Sequence, residues 1–500
     1  MSLQQKTPSL SPPGGTIPPD TQGALGLWDA VSIIVGIVVG SSIFQVAPLI
    51  LMLSGTAGMG LLLWGVGGLL SFIGALIYAE LATAYPRDGG DYVYLSRAFG
   101  RWLGFLFGWA QLAVILTASI GMMAFTFANY AGRFLPAVVG NEAITALSAV
   151  VVFTALNLIG VVFGKVVQNV LTVVKVFGLV AILVAGFLYR NPDATWGPIW
   201  PETMPPLKDL FLGGPAVSLI LILYAYGGWN DAAFVAAEVR DVKKNLTRAL
   251  FIGLAIITVL YILVNAAYIN ALGFEAASNP GSQVAADVLK LPLGEFGERA
   301  MALLVMLSAL GAVNGLIFAG SRVYSTLGKD HAVFGWMGRW SNARGTPTAA
   351  LIVQALFCVG MILLVGTAQG QHLVNQTFDP LLHKWDLAVA DTWKPMDGFD
   401  YLFACSAPVF WIFFGLTGIS LFVLRVREPN VERPFRVPLY PIIPAIFVLS
   451  CGFWIYRSLE YAIVTKKATG GFLLIGVLPL LVGLPLYGLS RLLEKKAPSV

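Results

Sequence analysis

The chain carries little charge. Only 11% of its 500 residues are Asp, Glu, Lys or Arg, whereas 57% are hydrophobic, and the mean hydropathy is +0.79. Soluble globular domains carry roughly 25% charged residues. The shortage of charge excludes an ordinary soluble domain and predicts a polytopic protein embedded in a lipid bilayer.

Cysteine and histidine are equally scarce. The three cysteines, Cys358, Cys405 and Cys451, lie in separate apolar stretches without CxxC spacing, and the three histidines show no HExxH or paired spacing. We therefore expect no disulfide framework, no metal site and no cofactor. The sequence offers no nucleophile–base set that would indicate an enzyme. The net charge of +5 forms no concentrated basic stripe, so no nucleic-acid partner is expected.

Apolar stretches long enough to cross a membrane recur along the chain. A crossing helix needs about 20 apolar residues for a hydrocarbon core of about 30 Å. Twelve such stretches can be marked, at residues 31–54, 61–84, 103–132, 145–163, 167–189, 212–237, 249–271, 299–325, 347–367, 401–424, 439–461 and 471–490. The prediction is an all-α integral membrane protein with twelve transmembrane helices.

The chain ends and the basic residues set the expected orientation. Residues 1–24 are rich in Pro, Ser, Thr and Gly and lack an apolar core, so they predict a disordered cytoplasmic tail and no cleaved signal peptide. Residues 491–500 are a second predicted cytoplasmic tail. With both ends inside, Lys and Arg are about twice as frequent near inner loops as near outer ones, as the positive-inside rule requires.

Two apolar stretches are interrupted by glycine-rich segments, GIVVGSSIF at Gly36–Phe44 and YAYGGWN at Tyr224–Asn230. Unwound backbone persists in lipid only where protein covers it or where it lines a cavity. Paired interruptions at matching places are typical of transporters built from inverted repeats. They predict discontinuous helices 1 and 6 in a five-plus-five inverted repeat that is followed by two further helices.

The predicted repeats are residues 25–190 and 205–425, and the two further helices occupy residues 437–490. Within the second repeat, residues 367–400 form a long polar segment that the topology places outside the cell. Long loops are usually either functional or unstructured. This external insert is therefore either a small cap or a tolerated insertion, and both interpretations stay open.

Short motifs in matching order carry a family resemblance. They are Gly40–Phe44 in the first stretch; Glu80, Leu81, Pro86 and Gly89–Tyr92 after the second; Tyr224–Asn230, Glu238, Asn245, Leu246 and Arg248 around the sixth; Val313–Gly315, Ser321 and Arg322 in the eighth; and Glu432–Val437 after the tenth. Together they resemble the amino acid–polyamine–organocation transporters, and most of all the L-type amino acid transporters. The resemblance implies a LeuT-like fold and sodium-independent secondary transport of neutral L-amino acids by alternating access, as an exchanger or coupled to protons.

The broken helices suit the head group of an amino acid. A half-helix that begins after a break offers free N–H groups and about half a positive charge, which suits a carboxylate. We assign this role to Ser41, Ser42 and Ile43. The freed carbonyls near Tyr224 and Gly227 suit an ammonium group. Alternatively, the glycines serve only close helix packing. Ser42 stands where the family commonly has glycine, which puts the substrate size in doubt.

The resemblance also implies roles for individual side chains. Tyr224 takes the place of an aromatic gate, Asn230 faces the substrate side chain, and Asn314 takes part in coupling or gating. Lys175 lies about 15 Å beyond the inner end of its helix at 1.5 Å per residue, near the bilayer centre. The resemblance places it where sodium-coupled relatives hold sodium, between spans one, five and eight. The alternative is a lysine that snorkels to the interface.

Asp231 departs from the family pattern, because L-type relatives lack an acid directly after GGWN. Intramembrane carboxylates are functional by default. Three interpretations stay open: a cap for the second half of the sixth helix, a carrier of the coupling proton, or a group that recognises a cationic side chain. Glu80 and Glu238 lie near inner helix ends, and we expect them to form ion pairs at a gate or in a loop.

Other functions and partners follow from the same residues. Asp231 motivates a cationic amino acid or a polyamine as the alternative substrate, and a non-transporting amino acid receptor is less well supported. Human-type L-type carriers pair with a glycoprotein through a cysteine in the outer loop after span three, but residues 131–145 contain none. We therefore expect an amino acid substrate, no disulfide-linked heavy subunit and a bacterial inner-membrane location.

Overall fold

Helices make up most of the computed structural model, which describes residues 24–40, 42–134, 141–279, 283–341, 343–384, 398–465 and 471–496. Long apolar helices satisfy their own backbone hydrogen bonds, as lipid requires. In chain order they are α1 Leu27–Val38, α2 Ser42–Gln45, α3 Ala47–Ser54, α4 Ala57–Ala84, α5 Asp91–Phe99, α6 Arg101–Ala110, α7 Leu116–Phe134, α8 Glu142–Ile159, α9 Val161–Leu188, α10 Leu207–Leu212, α11 Gly214–Ala225, α12 Val242–Leu272, α13 Phe274–Ala277, α14 Val284–Leu293, α15 Glu295–Asp330, α16 Thr348–Val365, α17 Ala368–Lys384, α18 Gly398–Arg427, α19 Ile442–Glu460 and α20 Leu478–Lys496.

Ten helical segments of the described chain are long and apolar enough to cross a membrane. The pair Thr348–Leu364 and Ala368–Val374, bent by 84°, makes an eleventh if it counts as one span, and the short α1 is a further apolar helix. The predicted all-α membrane fold is confirmed. The count of twelve crossings and the five-plus-five repeat stay predictions.

The first predicted helix is broken after Val38. The Gly40 N–H donates to the Val38 carbonyl at 2.7 Å, which turns the chain out of the helix. Helix then resumes as α2 and continues through Val46 into α3. The predicted discontinuity of helix 1 is therefore present.

The sixth predicted helix is also broken. It runs as α11 to Ala225 and resumes as a 3-10 helix over Trp229–Glu238. Between them Gly228 has a φ of +101°, a conformation that glycine adopts without strain. The second half is thus a tight 3-10 helix with a kink at Val235, a geometry that often marks a hinge.

The two broken helices are joined at one end of the bundle, which we call the inner end. The Leu25 N–H donates to the Glu238 carbonyl at 3.0 Å, and the Arg240 N–H donates to the Leu25 carbonyl at 2.8 Å. These bonds tie the segment before α1 to the segment after the 3-10 helix. Movement of one broken helix at the inner end therefore affects the other.

Two predicted boundaries change. Helix α17 fills the first half of the predicted external insert, residues 385–397 lie outside the described residues, and α18 begins before the insert was expected to end. At the C-terminus α20 extends to Lys496, so much of the tail predicted at residues 491–500 is helical. Residues 1–23, nearly all of the predicted N-terminal tail, lie outside the described residues.

Candidate functional site

A cavity of about 130 Å³ lies between the two breaks. One water needs roughly 10–15 Å³, so the cavity has room for a larger solute. Its wall includes backbone from both breaks, at Gly40 and at Gly227 and Gly228. The polar residues in the wall are Ser42, Gln111, Ser119, Tyr224, Asn230, Asp231, Ser406, Ser458 and Tyr461.

Most of the residues predicted to bind substrate reach this cavity. Ser42, Tyr224, Gly227 and Asn230 line it. Ile43 is fully buried and is not part of the wall, so its predicted contact with a carboxylate is not supported. Ser41 lies outside the described residues.

Tyr224 has the environment expected of an aromatic gate. Its ring packs edge-on against Phe403 of α18, with 4.4 Å between the ring centroids, and against Phe399 at 6.0 Å. Its hydroxyl lies 3.2 Å from the sulfur of Met122 in α7. Because Tyr224 also lines the cavity, these contacts form an aromatic wall between the sixth helix, α7 and α18.

The carbonyl ends of the half-helices already have some partners. The Gly227 N–H donates to the Tyr224 carbonyl at 2.9 Å, so that carbonyl is less free than predicted. The hydroxyl of Tyr261 in α12 lies 3.0 Å from the Val38 carbonyl and 3.1 Å from the Ala225 carbonyl. One hydroxyl thus bridges the ends of α1 and α11 and fixes their separation.

Hydrogen-bond acceptors dominate the polar wall near the second break. The Asp231 carboxylate accepts a bond from the Asn230 amide at 3.1 Å. Asn230 Oδ1 and Gln111 Oε1 are buried and have no hydrogen-bond partner within the described ranges. A carboxylate beside two unpartnered carbonyl oxygens suits a ligand rich in N–H donors, such as an ammonium group.

The capping interpretation of Asp231 is not what the structure shows. Gly228 is the N-cap of the 3-10 helix and no side chain caps it; Asp231 lies in the first turn with its carboxylate on Asn230. The cap was predicted at Asp231, but Gly228, with its positive φ, begins the 3-10 helix three residues earlier. Asp231 lines the cavity, and its other two predicted roles stay open.

Lys175 lies where the resemblance placed it. The side chain is 1% exposed, and its ammonium donates to the carbonyls of Gly36 at 2.7 Å, Val39 at 2.8 Å and Ser308 at 3.0 Å. These carbonyls belong to the first broken helix and to α15, while Lys175 itself is on α9. Three donors meet three acceptors, so snorkelling is not the arrangement found.

The sequence profile described as amino acid permease matches residues 25–482. The chain belongs to the amino acid permease family. The human large neutral amino acids transporter small subunit 2 is 28% identical, over 93% of this chain and 80% of that protein. The mouse b(0,+)-type amino acid transporter 1 is 28% identical over 86% and 81%, and the human cystine/glutamate transporter is 30% identical over 94% and 85%. The resemblance to L-type transporters that the motifs indicated is confirmed.

Asn314 of this permease lies away from the cavity wall, in a buried amide network. Its amide nitrogen donates to Gln168 Oε1 at 2.8 Å, and its oxygen accepts from the Asn157 amide at 2.9 Å. The network joins α8, α9 and α15. Any part that Asn314 plays in coupling is therefore indirect, through the packing of these helices.

Buried ion pairs close the inner end of the permease. The Arg322 guanidinium lies 2.7 Å from the Glu238 carboxylate, with both side chains at most 1% exposed. Glu80 is paired with Arg425 at 2.5 Å and with Arg433 at 3.4 Å. The ion pairs predicted for Glu80 and Glu238 are confirmed.

The loop between α4 and α5 adds an acid to the same region. Asp88 is 4% exposed and accepts a hydrogen bond from the Ala237 N–H at 3.0 Å. Burial and the nearby Glu238 carboxylate raise the pKa of Asp88 to about 7, although Arg322 lowers it. This carboxyl therefore keeps its proton to a higher pH than an exposed aspartate does.

Several residues of the cavity wall were not predicted. They include Gln111 and Ser119 of the third span and Phe403, Ser406 and Phe410 of α18. Gln111 begins a short π-helix, Gln111–Ile115, between α6 and α7, and such bulges occur frequently at functional sites. The sequence feature that could have indicated Gln111 as a site residue is its polar side chain within a long apolar stretch.

Proposed function

We propose that this permease is a sodium-independent secondary transporter of neutral L-amino acids that works by alternating access, as an exchanger or as a proton symporter. The observation that carries the proposal is the Lys175 ammonium, which fills a three-carbonyl site between the first broken helix and α15. A fixed ammonium supplies the positive charge that a coupling sodium ion would supply. Transport then needs no sodium.

The amino acid head group spans the two breaks in this proposal. The backbone at Ser42, where helix resumes, offers N–H groups to the carboxylate, and we keep Ser41 as a partner predicted from the sequence. The acceptors at the second break receive the ammonium: the carbonyls near Tyr224 and Gly227, with the Asn230 and Asp231 oxygens beside them. Because both helices are broken at the cavity, the carboxylate of the head group meets backbone N–H groups and its ammonium meets backbone carbonyls.

A smaller cavity supports an apolar side chain on the substrate. It has a volume of about 30 Å³ and shares Leu223, Gly227, Asn230, Phe410 and Trp411 with the main cavity. The rest of its wall is mostly aromatic and includes Trp229, Phe414, Phe447 and Trp454. Apolar and aromatic walls with a few polar groups are typical of small-molecule sites. Asn230 then lies where head group and side chain meet.

Exchange by purified protein in liposomes tests this function. Liposomes loaded with an unlabelled neutral amino acid should take up the labelled amino acid faster than empty liposomes. Neutral L-amino acids should compete for uptake, whereas putrescine should compete poorly because it lacks a carboxylate. Equal competition by putrescine would contradict the head-group assignment.

A cationic amino acid is the second candidate substrate. Among the described residues of the cavity wall, Asp231 carries the one charged side chain. A buried carboxylate forms strong hydrogen bonds with an ammonium or guanidinium group. Stronger competition by arginine or lysine than by neutral amino acids would favour this candidate.

We also propose that the permease needs no disulfide-linked heavy subunit, although one relative is named a small subunit. The three cysteines are buried and free, so none is available to a partner outside the membrane helices. A band on non-reducing gels that disappears with reductant would contradict this. A bacterial inner-membrane location with both termini cytoplasmic completes the proposal, and protease access to terminal tags in oriented vesicles tests the orientation.

A further inference from the structure

A buried carboxyl lies near the substrate cavity at the inner end. Asp91, the first residue of α5, is 2% exposed. Its Oδ1 accepts hydrogen bonds from the Tyr78 hydroxyl of α4 and from the Thr417 hydroxyl of α18, the second at 2.6 Å. Its Oδ2 has no hydrogen-bond partner in the described part of the chain.

No positive charge faces Asp91 among the described residues. The titratable side chains that interact with it are Tyr78, Tyr94 of its own helix and Asp231 of the 3-10 helix. The Tyr94 hydroxyl is buried and likewise lacks a partner there. A buried carboxylate without a cation is costly, so such a group takes up a proton. Burial raises the pKa of Asp91 to about 6, although the hydroxyls of Thr417 and Tyr78 lower it.

The loop that carries Asp91 holds several helices together. The Gly89 N–H donates to the Phe234 carbonyl of the 3-10 helix at 3.0 Å, and the Thr326 hydroxyl of α15 donates to the Asp88 carbonyl at 3.1 Å. With the bonds of Asp91 to α4 and α18, this loop joins four elements. Opening of the inner end separates some of them and admits water to Asp91.

We propose that Asp91 is a proton-binding site of the transport cycle, protonated while the inner end is closed and deprotonated when it opens. The O–H bond of the carboxyl breaks, the proton passes to water at the inner end, and the electron pair stays on the carboxylate. The hydroxyls of Tyr78 and Thr417 stabilise the charge that forms. The inference rests on the proposed transport function.

The direction of the pH effect follows from the two states. A hydrated Asp has an ordinary pKa of 3.8, whereas the buried Asp91 has a pKa of about 6. The closed state therefore binds more protons between these values, and its stability falls as the pH rises through about 6. Acid favours the closed inner end, and a neutral inner compartment favours opening and proton release.

Infrared titration of the purified permease tests the site directly. The band of a protonated buried carboxyl should show a component with a midpoint near pH 6 in the wild type, and Asp91→Asn should lack it. Asp88→Asn is the matched variant in the same loop and should retain that component. Identical titrations of the wild type and Asp91→Asn would overturn the proposal.

A second variant keeps Asp91 in place. Thr417→Val removes one donor to the carboxylate and should raise the midpoint by about one pH unit, a tenfold change in proton affinity. Thr83→Val is the control, because the buried Thr83 hydroxyl bonds carbonyls of its own helix, at Ala79 and Glu80. An unshifted midpoint in Thr417→Val, or an equal shift in both variants, would contradict the proposal.

Transport assays separate this inference from the proposed function. Asp91→Asn should lower the accumulation that a pH gradient drives by a larger factor than it lowers amino acid exchange. Full pH-driven accumulation by that variant would overturn the inference while leaving transport intact. Absence of exchange by the wild type would instead refute the proposed function, and the infrared titration would still decide whether Asp91 binds a proton near pH 6.

Discussion

At the scale of single residues, Lys175 accounts for how the first break is held. Two of its three carbonyl partners, Gly36 and Val39, lie on the broken helix, and Ser308 lies on α15. The Ser308 hydroxyl also donates to the Val39 carbonyl at 2.9 Å. Carbonyls exposed by the break are thus satisfied by side chains, and the break is tied to two neighbouring helices.

Replacement of Lys175 should abolish transport more than it reduces expression. Lys175→Met keeps the volume and removes the ammonium donor of three buried carbonyls, of which the Val39 carbonyl keeps the Ser308 hydroxyl; each buried acceptor left without a donor costs about 1–3 kcal/mol. We expect exchange in liposomes to fall by about tenfold or more, equivalent to at least 1.4 kcal/mol. Lys165→Met is the matched control on the same helix, because Lys165 is half-buried and pairs with Asp29 at 3.3 Å. Equal transport by the two variants would contradict the assigned role.

Replacement of Asp231 should weaken substrate binding. Asp231→Asn replaces an acceptor oxygen that faces the cavity with an N–H donor, so the KM for neutral amino acids should rise about tenfold, or roughly 1.4 kcal/mol. Uptake measured over a range of substrate concentrations gives this value. Wild-type kinetics would show that the Asp231 carboxyl does not contribute to binding of neutral amino acids. A loss confined to cationic substrates would favour recognition of a cationic side chain by Asp231. A loss confined to pH-driven uptake would favour Asp231 as the carrier of the coupling proton.

Sequence reasoning located some of these residues better than others. The depth of Lys175 was counted along one helix, and the structure shows that helix uninterrupted from Val161 to Leu188. The depth in the bilayer stays a prediction. The role of Asp231 depends on the residue at which helix resumes, which the backbone of Gly228 decides. Asp91 was noted only within a motif, because its hydrogen-bond partners Tyr78 and Thr417 lie on other helices and only the fold brings them together.

At the scale of elements, the two breaks are positioned by glycine and by one tyrosine. Gly228 has a positive φ, and a Cβ there would lie 2.5 Å from Ile37 Cγ2 on α1. The Tyr261 hydroxyl bridges the carbonyl ends of both half-helices. The close approach of the two broken helices therefore requires both the missing side chain and the bridging hydroxyl.

A side chain at Gly228 should remove substrate binding. Gly228→Ala combines a strained backbone, which costs about 1–2 kcal/mol, with a clash against Ile37. Binding of labelled substrate to purified protein should be lost. Gly452→Ala in α19 is the control, since a Cβ there meets nothing within 4 Å and helix propensity improves by up to about 1 kcal/mol. Normal binding by Gly228→Ala would show that the breaks are more plastic than described.

The helical content and both breaks could be predicted from apolar length and glycine position. The 3-10 form of Trp229–Glu238 and the π-helix at Gln111–Ile115 could not, because contacts with other helices select these geometries. Helix α17 was not predicted, because its segment is polar and lacks the apolar periodicity that would indicate a membrane helix.

At the scale of the whole molecule, transport requires the inner end to open and close. The buried pair Glu238–Arg322 lies at the centre of this end, beside the bonds between Leu25 and the chain after the 3-10 helix. Both broken helices thus end in contacts that must be exchanged together. Alternating access results if these contacts at the inner end break while the opposite end of the bundle closes.

Removal of one partner of this pair should destabilise the closed inner end. Glu238→Gln leaves Arg322 buried without a counter-charge, at a cost of about 3–5 kcal/mol. Labelling of a cysteine introduced near the inner end should then increase. Lys243→Gln breaks an exposed pair with Glu432, worth about 0.2–1 kcal/mol, and should not change labelling. Equal labelling in both variants would show that the Glu238–Arg322 pair does not hold the inner end closed.

Sodium replacement tests the central claim most directly. Exchange of a labelled neutral amino acid is measured in liposomes with all sodium replaced by choline on both sides. Because the Lys175 ammonium occupies the site between the first broken helix and α15, exchange should proceed at the same rate as in sodium. Exchange that stops without sodium would contradict the account.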